Sequence, residues 1–277
     1  NPTLTLGTIT TGTNNLTLKG TITGSGIINT GTTGTLTFAG NSEQTLAAAN
    51  VASGNVNNLV INSGSKLTTS GLITATNLTI NSNSGETGSL LGTLTSNNAN
   101  INQYLTYRTW YMASPVTLAT PSGMSVIKYF DETVSGNVWP TSTTMTAGKG
   151  YFVTPVDDED HISNILLNGT LNAGNQDITL SRSVANTEKP GFNLIGNPYP
   201  SYLDWTAVCN YSTDGGITKP NQLIMPTTTM WYRTKASGTW DFVTINGDGV
   251  KSPLDATPTK YIPPMQAFWV RAKNTGV

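Results

Sequence analysis

The first 106 residues of this 277-residue chain contain very little charge. Their only charged side chains are Lys19, Glu43, Lys66 and Glu86, and they contain no aspartate, arginine, histidine or tryptophan. Enzymes that cleave polysaccharides on a repetitive β scaffold need carboxylates or basic groups that converge on one face. The scarcity of such groups argues strongly against catalysis in this part of the chain.

Other shortages narrow the class of protein further. The formal net charge is −1 and no basic run occurs, so the chain lacks the positive surface that binds a nucleic-acid backbone. Its longest apolar runs are a few residues, far short of the ~20 that a membrane-spanning helix needs. The single cysteine, Cys209, excludes an internal disulfide and a thiolate metal cluster. We therefore expect neither a nucleic-acid partner nor a membrane span.

The composition changes near residue 106. All six tryptophans and 25 of the 29 charged residues follow that point. We therefore predict two domains, a Thr/Gly/Asn-rich domain over residues 1–106 and an aromatic-rich domain over residues 107–277, and we expect both to be all-β.

Short alternating segments recur through residues 1–106, with an apolar residue at every second position and mostly threonine between. They are residues 3–6, 16–18, 36–38, 59–61 and 78–80. Such alternation is typical of half-buried strands. The aligned leucines, at positions 16, 36, 59 and 78, are 20, 23 and 19 residues apart, with glycine-containing turns between them. This spacing is about the number of residues in one coil of a parallel β-solenoid, so we predict a solenoid stalk.

Asparagine precedes the aligned leucine in three of the segments, at Asn15, Asn58 and Asn77. Asparagine accepts left-handed turns and can form hydrogen bonds along a stack of coils. The irregular spacing leaves an antiparallel sandwich with short hairpins as the alternative.

Threonine pairs of the form Thr-x-Thr also recur in this part of the chain. A flat array of their hydroxyls would suit a protein that binds ice or another crystalline surface, but an ordinary solvated β face is the favoured interpretation. The pairs are Thr8/Thr10, Thr21/Thr23, Thr35/Thr37 and Thr93/Thr95.

Residues 107–277 contain one pattern twice. An aromatic or apolar strand ends at a proline turn, an aromatic hairpin follows, and a turn leads into a closing aromatic strand. The first copy has these features at residues 110–115, 129–139 and 147–153, and the second at 192–200, 230–240 and 263–270. The offset between copies is 83 at the prolines (115 to 198), 101 at the tryptophans (139 to 240) and 117 at the closing strands (151 to 268). We predict a duplicated β-sandwich-like body of two similar units, residues 107–189 and 190–277.

Two loops contain candidate calcium ligands. The acidic run Asp157-Asp158-Glu159-Asp160 brings several oxygens together, and Asp248 lies in the sequence Asn-Gly-Asp-Gly. Oxygen ligands are those that Ca²⁺ prefers. The candidate ligands are therefore Asp157, Asp158, Asp160 and Asp248, with a solvated acidic loop and an ordinary turn as the alternatives. We expect no other cofactor.

Two further residue types are candidates for chemistry or binding. His161 is the only histidine, and no Gly-x-Ser-x-Gly sequence accompanies it, so we predict that the protein is not an enzyme. The aromatic side chains at repeated positions are expected to form the core. Tyr199, Tyr202 and Trp205 instead follow a proline turn, and these are the candidate carbohydrate-binding residues.

Several motifs together carry a resemblance to a known class of proteins. They are the Asn-Leu-Thr-Ile-Asn repeats, Trp-Tyr-x-x-Ser-Pro-Val (110–116), Ala-Gly-Lys-Gly-Tyr (147–151), Asn-Leu-Ile-Gly-Asn-Pro-Tyr-Pro-Ser (193–201) and Ile-Pro-Pro-Met-Gln-Ala-Phe-Trp-Val (262–270). The chain resembles regions of the large cell-surface and secreted proteins that Bacteroidetes export through the type IX secretion system. The resemblance implies export to the bacterial surface and a role in adhesion, gliding or scaffolding. It assigns no catalytic residue.

The resemblance also implies a separate sorting domain after the Pro-Pro-Met-Gln strand, and this sequence stops at Val277 without one. It begins at Asn-Pro within a repeat-like pattern. We therefore expect a processed or excised piece of a longer protein.

The prediction for function is a non-enzymatic extracellular cell-surface protein, either an adhesin or a component of a structural stalk or filament. The expected partners are a cell-surface or extracellular polymer, other copies of the chain in a fibre, and the secretion machinery during export. The alternative is a carbohydrate-binding accessory module of a secreted protein that degrades polysaccharides.

Overall fold

The computed structural model describes residues 3, 5, 7–157, 162–225, 227–234, 240–252 and 259–274, with the backbone alone at residues 118, 162 and 163. These ranges are all-β, as predicted, with two short α-helices. Contacts divide the chain into two units. Unit 1 is Asn1–Arg108, Pro115–Met124 and Pro155–Gly174, and unit 2 is Thr109–Ser114, Ser125–Thr154 and Asn175–Val277.

The strands are numbered in chain order. They are β1 (Thr8–Thr10), β2 (Asn15–Leu18), β3 (Ile27–Asn29), β4 (Thr35–Phe38), β5 (Glu43–Ala47), β6 (Asn55–Ile61), β7 (Lys66–Ser70), β8 (Ile73–Ile80), β9 (Ser89–Leu91), β10 (Leu94–Thr95), β11 (Ala99–Thr106), β12 (Trp110–Met112), β13 (Val116–Ser122), β14 (Met124–Lys128), β15 (Tyr151–Pro155), β16 (Ile162–Leu171), β17 (Phe192–Gly196), β18 (Leu203–Asp204), β19 (Met230–Thr234), β20 (Asp241–Ile245), β21 (Lys251–Ser252), β22 (Tyr261–Ile262) and β23 (Ala267–Arg271). The helices are α1 (Trp205–Cys209) and α2 (Pro220–Ile224), and two 3₁₀ turns cover Ala48–Asn50 and Ala52–Gly54.

Unit 1 contains a parallel β-solenoid. Strands β2, β4, β6, β8 and β11 stack in one sheet, all parallel, while β5, β7 and β9 form a second parallel sheet. The register places Leu16, Leu36, Leu59 and Leu78 directly opposite one another from coil to coil. The predicted solenoid and its leucine alignment are therefore confirmed, and the antiparallel alternative for this part of the chain is wrong.

The core of the solenoid is shared between coils. Leu36, Leu59 and Leu78 are all 0% exposed, although each coil is too small to bury its leucine alone. Each fully buried leucine contributes about 1.5–3 kcal/mol relative to an exposed one. The stack is therefore stable only because neighbouring coils cover each other.

Two columns of asparagine amides run along the stack. Asn77 donates from Nδ2 to Oδ1 of Asn58 at 2.9 Å, and Asn98 donates to Oδ1 of Asn77 at 2.5 Å. The second column consists of Asn62, Asn81 and Asn102. A side-chain amide can donate and accept hydrogen bonds at the same time. Asparagines at the same position of successive coils can therefore bond to one another across the distance between neighbouring strands.

The parallel stack is closed at its C-terminal side by antiparallel strands. β16 pairs antiparallel with β11, and β13 pairs antiparallel with β16 and forms the edge of the sheet. β13 contains Pro121 and a register shift between Thr117 and Thr120, and both features hinder further strand pairing at an edge. The division of the chain therefore differs from the boundary placed at residue 106, because residues 115–124 and 155–174 complete the sheet of unit 1.

The Thr-x-Thr pairs do not form one flat array. Thr8 and Thr10 lie in β1, which pairs with β3 in a separate two-stranded sheet, whereas Thr35 and Thr37 lie in β4 of the main sheet. Thr37 is only 5% exposed, and its hydroxyl donates to Oδ1 of Asn15 at 2.8 Å. The hydroxyl array considered from the sequence is therefore not formed by these pairs.

Unit 2 contains both copies of the duplicated pattern, and the copies use the same strand order. In the first copy the order is β12-β15-β14, so the opening strand pairs antiparallel with the closing strand. In the second copy the order β17-β23-β19 repeats this arrangement and is extended by β20 and β21. The strand order agrees with the duplication read from the sequence.

The copies also exchange equivalent backbone contacts. Met112 of the first copy bridges Gln266 of the second, and Ile195 of the second copy bridges Lys149 of the first. These residues correspond by the sequence offsets of 83 (112 to 195) and 117 (149 to 266). The two copies are therefore related to each other as the subunits of a two-fold dimer are.

Equivalent turns precede the two closing strands. Gly148 has φ +72° and Met265 has φ +61°, so both lie in the left-handed region. Glycine adopts this conformation without a steric cost, whereas methionine rarely does. The carbonyl of each accepts a backbone N–H from the other copy, from Gly196 at 3.0 Å and from Ala113 at 2.8 Å respectively. The hydrogen bond from the other copy thus stabilises the left-handed turn at Met265, although methionine itself disfavours that conformation.

The asparagine columns generate a prediction about stability. Asn77→Ala removes one donor and one acceptor from a column, leaving the amides of Asn58 and Asn98 each short of a partner. We expect a loss of about 1–2 kcal/mol in the free energy of unfolding, measured by denaturant titration. The control is Asn97→Ala, since Asn97 is exposed and outside the columns. Equal effects of the two substitutions would contradict a stabilising role for the column.

The left-handed turn at Gly148 generates a second prediction. A Cβ at this position would lie 2.5 Å from Cγ1 of Ile178, whereas one at Gly174, with a similar φ of +66°, would meet nothing within 4 Å. Both alanine substitutions incur backbone strain of about 1–2 kcal/mol. We expect Gly148→Ala to cost a further ~1–3 kcal/mol from overpacking. Indistinguishable unfolding midpoints for the two variants would show that the contact with Ile178 relaxes without cost.

Candidate functional site

The Gly-Asn-Pro-Tyr-Pro turn is organised by Asn197, which is 0% exposed. The two N–H groups of its Nδ2 are shared among the carbonyl oxygens of Ser201 at 2.7 Å, Ile262 at 3.1 Å and Pro263 at 3.0 Å, and its Oδ1 accepts from the N–H of Tyr199 at 3.0 Å. One amide thus joins this turn to the Ile-Pro-Pro-Met-Gln segment. The two most distinctive motifs of the sequence are therefore partners in the structure.

A cavity of about 380 Å³ lies beside this turn within unit 2. Its volume is within the range of small-molecule sites in proteins. The lining is mainly apolar and includes Ile178, Ile195, Val208, Ile224 and Phe268. Polar groups are contributed by Asp177, Tyr199, Asp204, Tyr211 and Asn221.

The candidate carbohydrate-binding tyrosines lie in different surroundings. Tyr199 lines the cavity, and burial raises the pKa of its hydroxyl, although a hydrogen bond with the backbone of Gln176 opposes the shift. Tyr202 is 56% exposed and does not line the cavity. Tyr199 therefore presents little ring surface to a polymer, while Tyr202 presents much more.

Trp205 was expected at the surface and lies in the core instead. It is 1% exposed, its ring packs edge-on against Phe268 at 5.4 Å, and its Nε1 donates to the carbonyl of Thr228 at 2.8 Å. The chain does turn at Pro198 and Pro200, but it then enters helix α1, and Trp205 is the first residue of that helix. The buried side of the helix carries the ring inward, so Trp205 cannot act as an exposed stacking platform.

Asp204 is one of the two carboxylates that line the cavity, the other being Asp177. It caps α1 by accepting from the N–H groups of Thr206 and Ala207, and it accepts from Nζ of Lys260 at 2.8 Å. Burial acts to raise the pKa of Asp204, but the hydrogen bonds from Lys260, Thr206 and Ala207 outweigh it and lower the pKa. This carboxylate is thus held ionised by structural partners, and it is poorly suited to act as a general acid.

The calcium candidates belong to different units or lie outside the described residues. Asp157 is exposed in unit 1 and Asp248 is exposed in unit 2, whereas Asp158 and Asp160 lie outside the described residues, as does His161. The Asn-Gly-Asp-Gly sequence forms a turn, in which Oδ1 of Asn246 accepts from the N–H groups of Asp248 and Val250. Within the described ranges, no three His, Cys, Asp or Glu side chains are placed to hold a metal ion.

Two further observations concern reactivity and membranes. Cys209 is buried, and this burial, with a smaller effect of Asp248, raises the pKa of its thiol to about 12. A thiol with this pKa is protonated at neutral pH and is a poor nucleophile. Nowhere in the described part of the chain is there a helix long and apolar enough to cross a membrane.

One surface was missed at the sequence level. The five-stranded sheet of unit 2 packs one face, with Phe268, Val270 and Met230, against Trp205 of α1. Its opposite face carries Trp269 and Leu194, which pack against Phe130 of the first copy. The outer aromatic face is the name used here for six further side chains of that second face, Phe192, Trp231, Arg233, Trp240, Phe242 and Arg271. The alternation of aromatic residues and arginine in β19 was the signal that could have identified it.

Asn197 generates a prediction that depends on pH. In Asn197→Asp, the introduced carboxylate can accept from Tyr199 but faces three carbonyl oxygens, so its pKa in the folded state is expected to rise. We expect a loss of about 3 kcal/mol or more at pH 7. The loss should shrink as the pH falls through the raised pKa, because the protonated carboxyl can donate once.

The control for this change is Asn246→Asp. The only hydrogen bonds of the Asn246 side chain among the described residues use Oδ1 as an acceptor, which a carboxylate preserves. Urea titrations between pH 4 and pH 8 would measure both variants. A loss for Asn197→Asp that is independent of pH would argue against the hydrogen bonds that Nδ2 of Asn197 donates to the three carbonyl oxygens.

Comparisons with known proteins place the chain in a family. Searches against curated proteins and against solved structures gave no significant match. The model of one protein family, described as a domain of unknown function (DUF8693), matches residues 6–277. Because this match covers nearly the whole sequence, the chain belongs to the DUF8693 family.

Proposed function

We propose that this protein is a non-enzymatic extracellular cell-surface protein, an adhesin in which a β-solenoid stalk bears a binding domain. The observation that carries the proposal is the in-register parallel stack of unit 1, with its leucine core and asparagine columns. Each coil is held by its neighbours along the stack, so the assembly resists bending and local opening. A stiff, sparsely charged rod of this kind suits a spacer outside the cell.

Unit 2 supports the binding part of the proposal. It exposes aromatic side chains on a sheet face, including Trp240 at 41% and Phe242 at 49% exposure. The groups that would favour an enzyme are engaged elsewhere, since Asp204 caps a helix and binds Lys260 and Cys209 is buried. We propose an extracellular or cell-surface polymer as the partner, with the type IX secretion system as the route of export.

Association into fibres is part of the same proposal. β2 is the edge of the main sheet opposite to β13. The segment Asn15–Leu18 contains neither a proline nor a charge, whereas β13 contains Pro121 and a register shift. An edge without such features can accept another strand, so β2 is the proposed point of contact between copies.

A carbohydrate-binding accessory module is the second candidate function. The exposure of Tyr202, Trp240 and Phe242, at 56%, 41% and 49%, favours it, because aromatic rings offer flat amphipathic surfaces to ligands. The two functions differ in context rather than in chemistry. An adhesin stays on the cell that makes it, whereas an accessory module accompanies an enzyme to its substrate.

The proposal predicts where the protein is found and what its loss does. Antibodies against the chain should label intact cells of the producing bacterium, and protease treatment of those cells should remove the label. Deletion of the gene should lower adhesion of the cells to a polymer-coated surface several-fold, and complementation should restore it. A cytoplasmic protein labelled in parallel is the control. Labelling that requires permeabilised cells would refute a surface location.

A further inference from the structure

The outer aromatic face combines ring surfaces with two cations. Phe192 and Trp231 pack edge-on with centroids 5.2 Å apart. The guanidinium of Arg233 lies over the ring of Trp240 at 5.2 Å, and that of Arg271 lies over the ring of Phe192 at 5.5 Å. Each cation is therefore positioned beside an aromatic ring by a cation–π contact.

Neither arginine is neutralised by a carboxylate within the described ranges. Among the residues that the structure describes, neither Arg233 nor Arg271 forms an ion pair with a carboxylate within 4.0 Å. Arg271 donates from Nε to the carbonyl of Pro190 at 3.1 Å, which orients the side chain and leaves its terminal nitrogens to other acceptors. The planar guanidinium fork matches a carboxylate in a bidentate geometry. The surface is thus complementary to a ligand in which an anionic group lies next to flat, weakly polar groups.

Other occupants fit this surface less well. A second copy placed face to face would bring four arginines together with no opposing carboxylate, and such like-charge contacts are costly. A nucleic-acid strand has a charge at every nucleotide and usually binds to many basic groups, whereas the chain as a whole has a net charge of −1. A neutral glycan would use the rings but leave both guanidinium groups without an acceptor.

We infer that the outer aromatic face binds a carboxylated polysaccharide, a polymer of sugars that carry uronic acid groups. The sugar faces stack on Trp231, Trp240 and Phe242, and the carboxylates accept hydrogen bonds from Arg233 and Arg271. The inference deepens the proposed adhesive function and rests on it, because it names the chemical class of the polymer.

The test uses a matched pair of polymers. Polygalacturonate and its methyl-esterified form share one backbone and differ in carboxylate charge, so affinity electrophoresis of the purified chain in each isolates the role of the charge. We expect binding to polygalacturonate to be at least about tenfold tighter than binding to the ester, since a charge-assisted bond is worth about one decade or more in affinity. Added salt should weaken the binding.

Variants locate the site. We expect Arg233→Gln and Arg271→Gln each to weaken binding to polygalacturonate about tenfold, and Phe242→Ala to weaken it several-fold. Two controls should leave binding unchanged. Lys66→Gln removes an exposed cation from unit 1, and Tyr261→Ala removes a ring of similar exposure, 50% against 49%, that lies in β22, outside the five-stranded sheet. Unchanged thermal unfolding of each variant would show that the fold is preserved.

Several results would overturn the inference. These are equal affinity for the ester, loss of binding in Tyr261→Ala but not in Phe242→Ala, and tighter binding to single-stranded oligothymidylate than to polygalacturonate. The absence of binding to either polymer would overturn it as well. None of these results bears on surface labelling of intact cells, so failure of the inference and failure of the proposed function are distinguishable.

Discussion

In a parallel stack of coils, each side chain must be compatible with the residue at the same position one coil away. This constraint explains the composition of residues 1–106. A charge repeated in register would face a like charge across the strand spacing, which is unfavourable, whereas leucine and asparagine tolerate an identical neighbour. Two of the four charged residues in this region avoid this repulsion, because Glu43 and Lys66 have opposite charges and lie directly opposite each other in β5 and β7.

The same constraint explains how the chain is divided. A stack that buries its leucines between coils needs a final layer that covers the last coil and does not itself continue the stack. β16 and β13 provide that layer as antiparallel strands, and Pro121 makes the outer strand, β13, a poor edge for pairing with another strand. These strands come after the chain has already contributed residues 109–114 to unit 2. The two units are therefore interleaved along the sequence.

The sequence was sufficient for features with a local or repeated signal. The alternation around Leu16, Leu36, Leu59 and Leu78 predicted both strands and register, because identical surroundings recur at each coil. It was insufficient where pairing depends on distant partners. Nothing in Val116–Ser122 distinguishes a strand that closes the solenoid from one that belongs to unit 2. The choice is made by pairing with β16, some 50 residues later in the sequence.

The candidate site was likewise predicted only in part from the sequence. Two prolines correctly predicted the turn at Tyr199, but the position of Trp205 depended on a weaker signal. Asp204 precedes a short segment without glycine or proline, and aspartate at such a position is a common N-cap. The cap draws the chain into α1 and buries the indole. The outer aromatic face was missed for a different reason, because Trp231 and Trp240 occupy repeated positions that were expected to form the core, whereas Trp240 is 41% exposed.

The two copies use charged and aromatic side chains of this segment differently. The sequence offset of 101 aligns Glu132 with Arg233 and Trp139 with Trp240, but the pairing in the structure is shifted, because Lys128 bridges Thr141 whereas Arg233 pairs with Phe242. Glu132 is 4% exposed and accepts the N–H groups of Ser183 and Gly191, while Trp139 packs against Trp269 at 5.9 Å. In the second copy, Arg233 and Trp240 are exposed and stacked on each other. The first copy thus uses its charge and ring to hold unit 2 together, whereas those of the second copy lie at the surface.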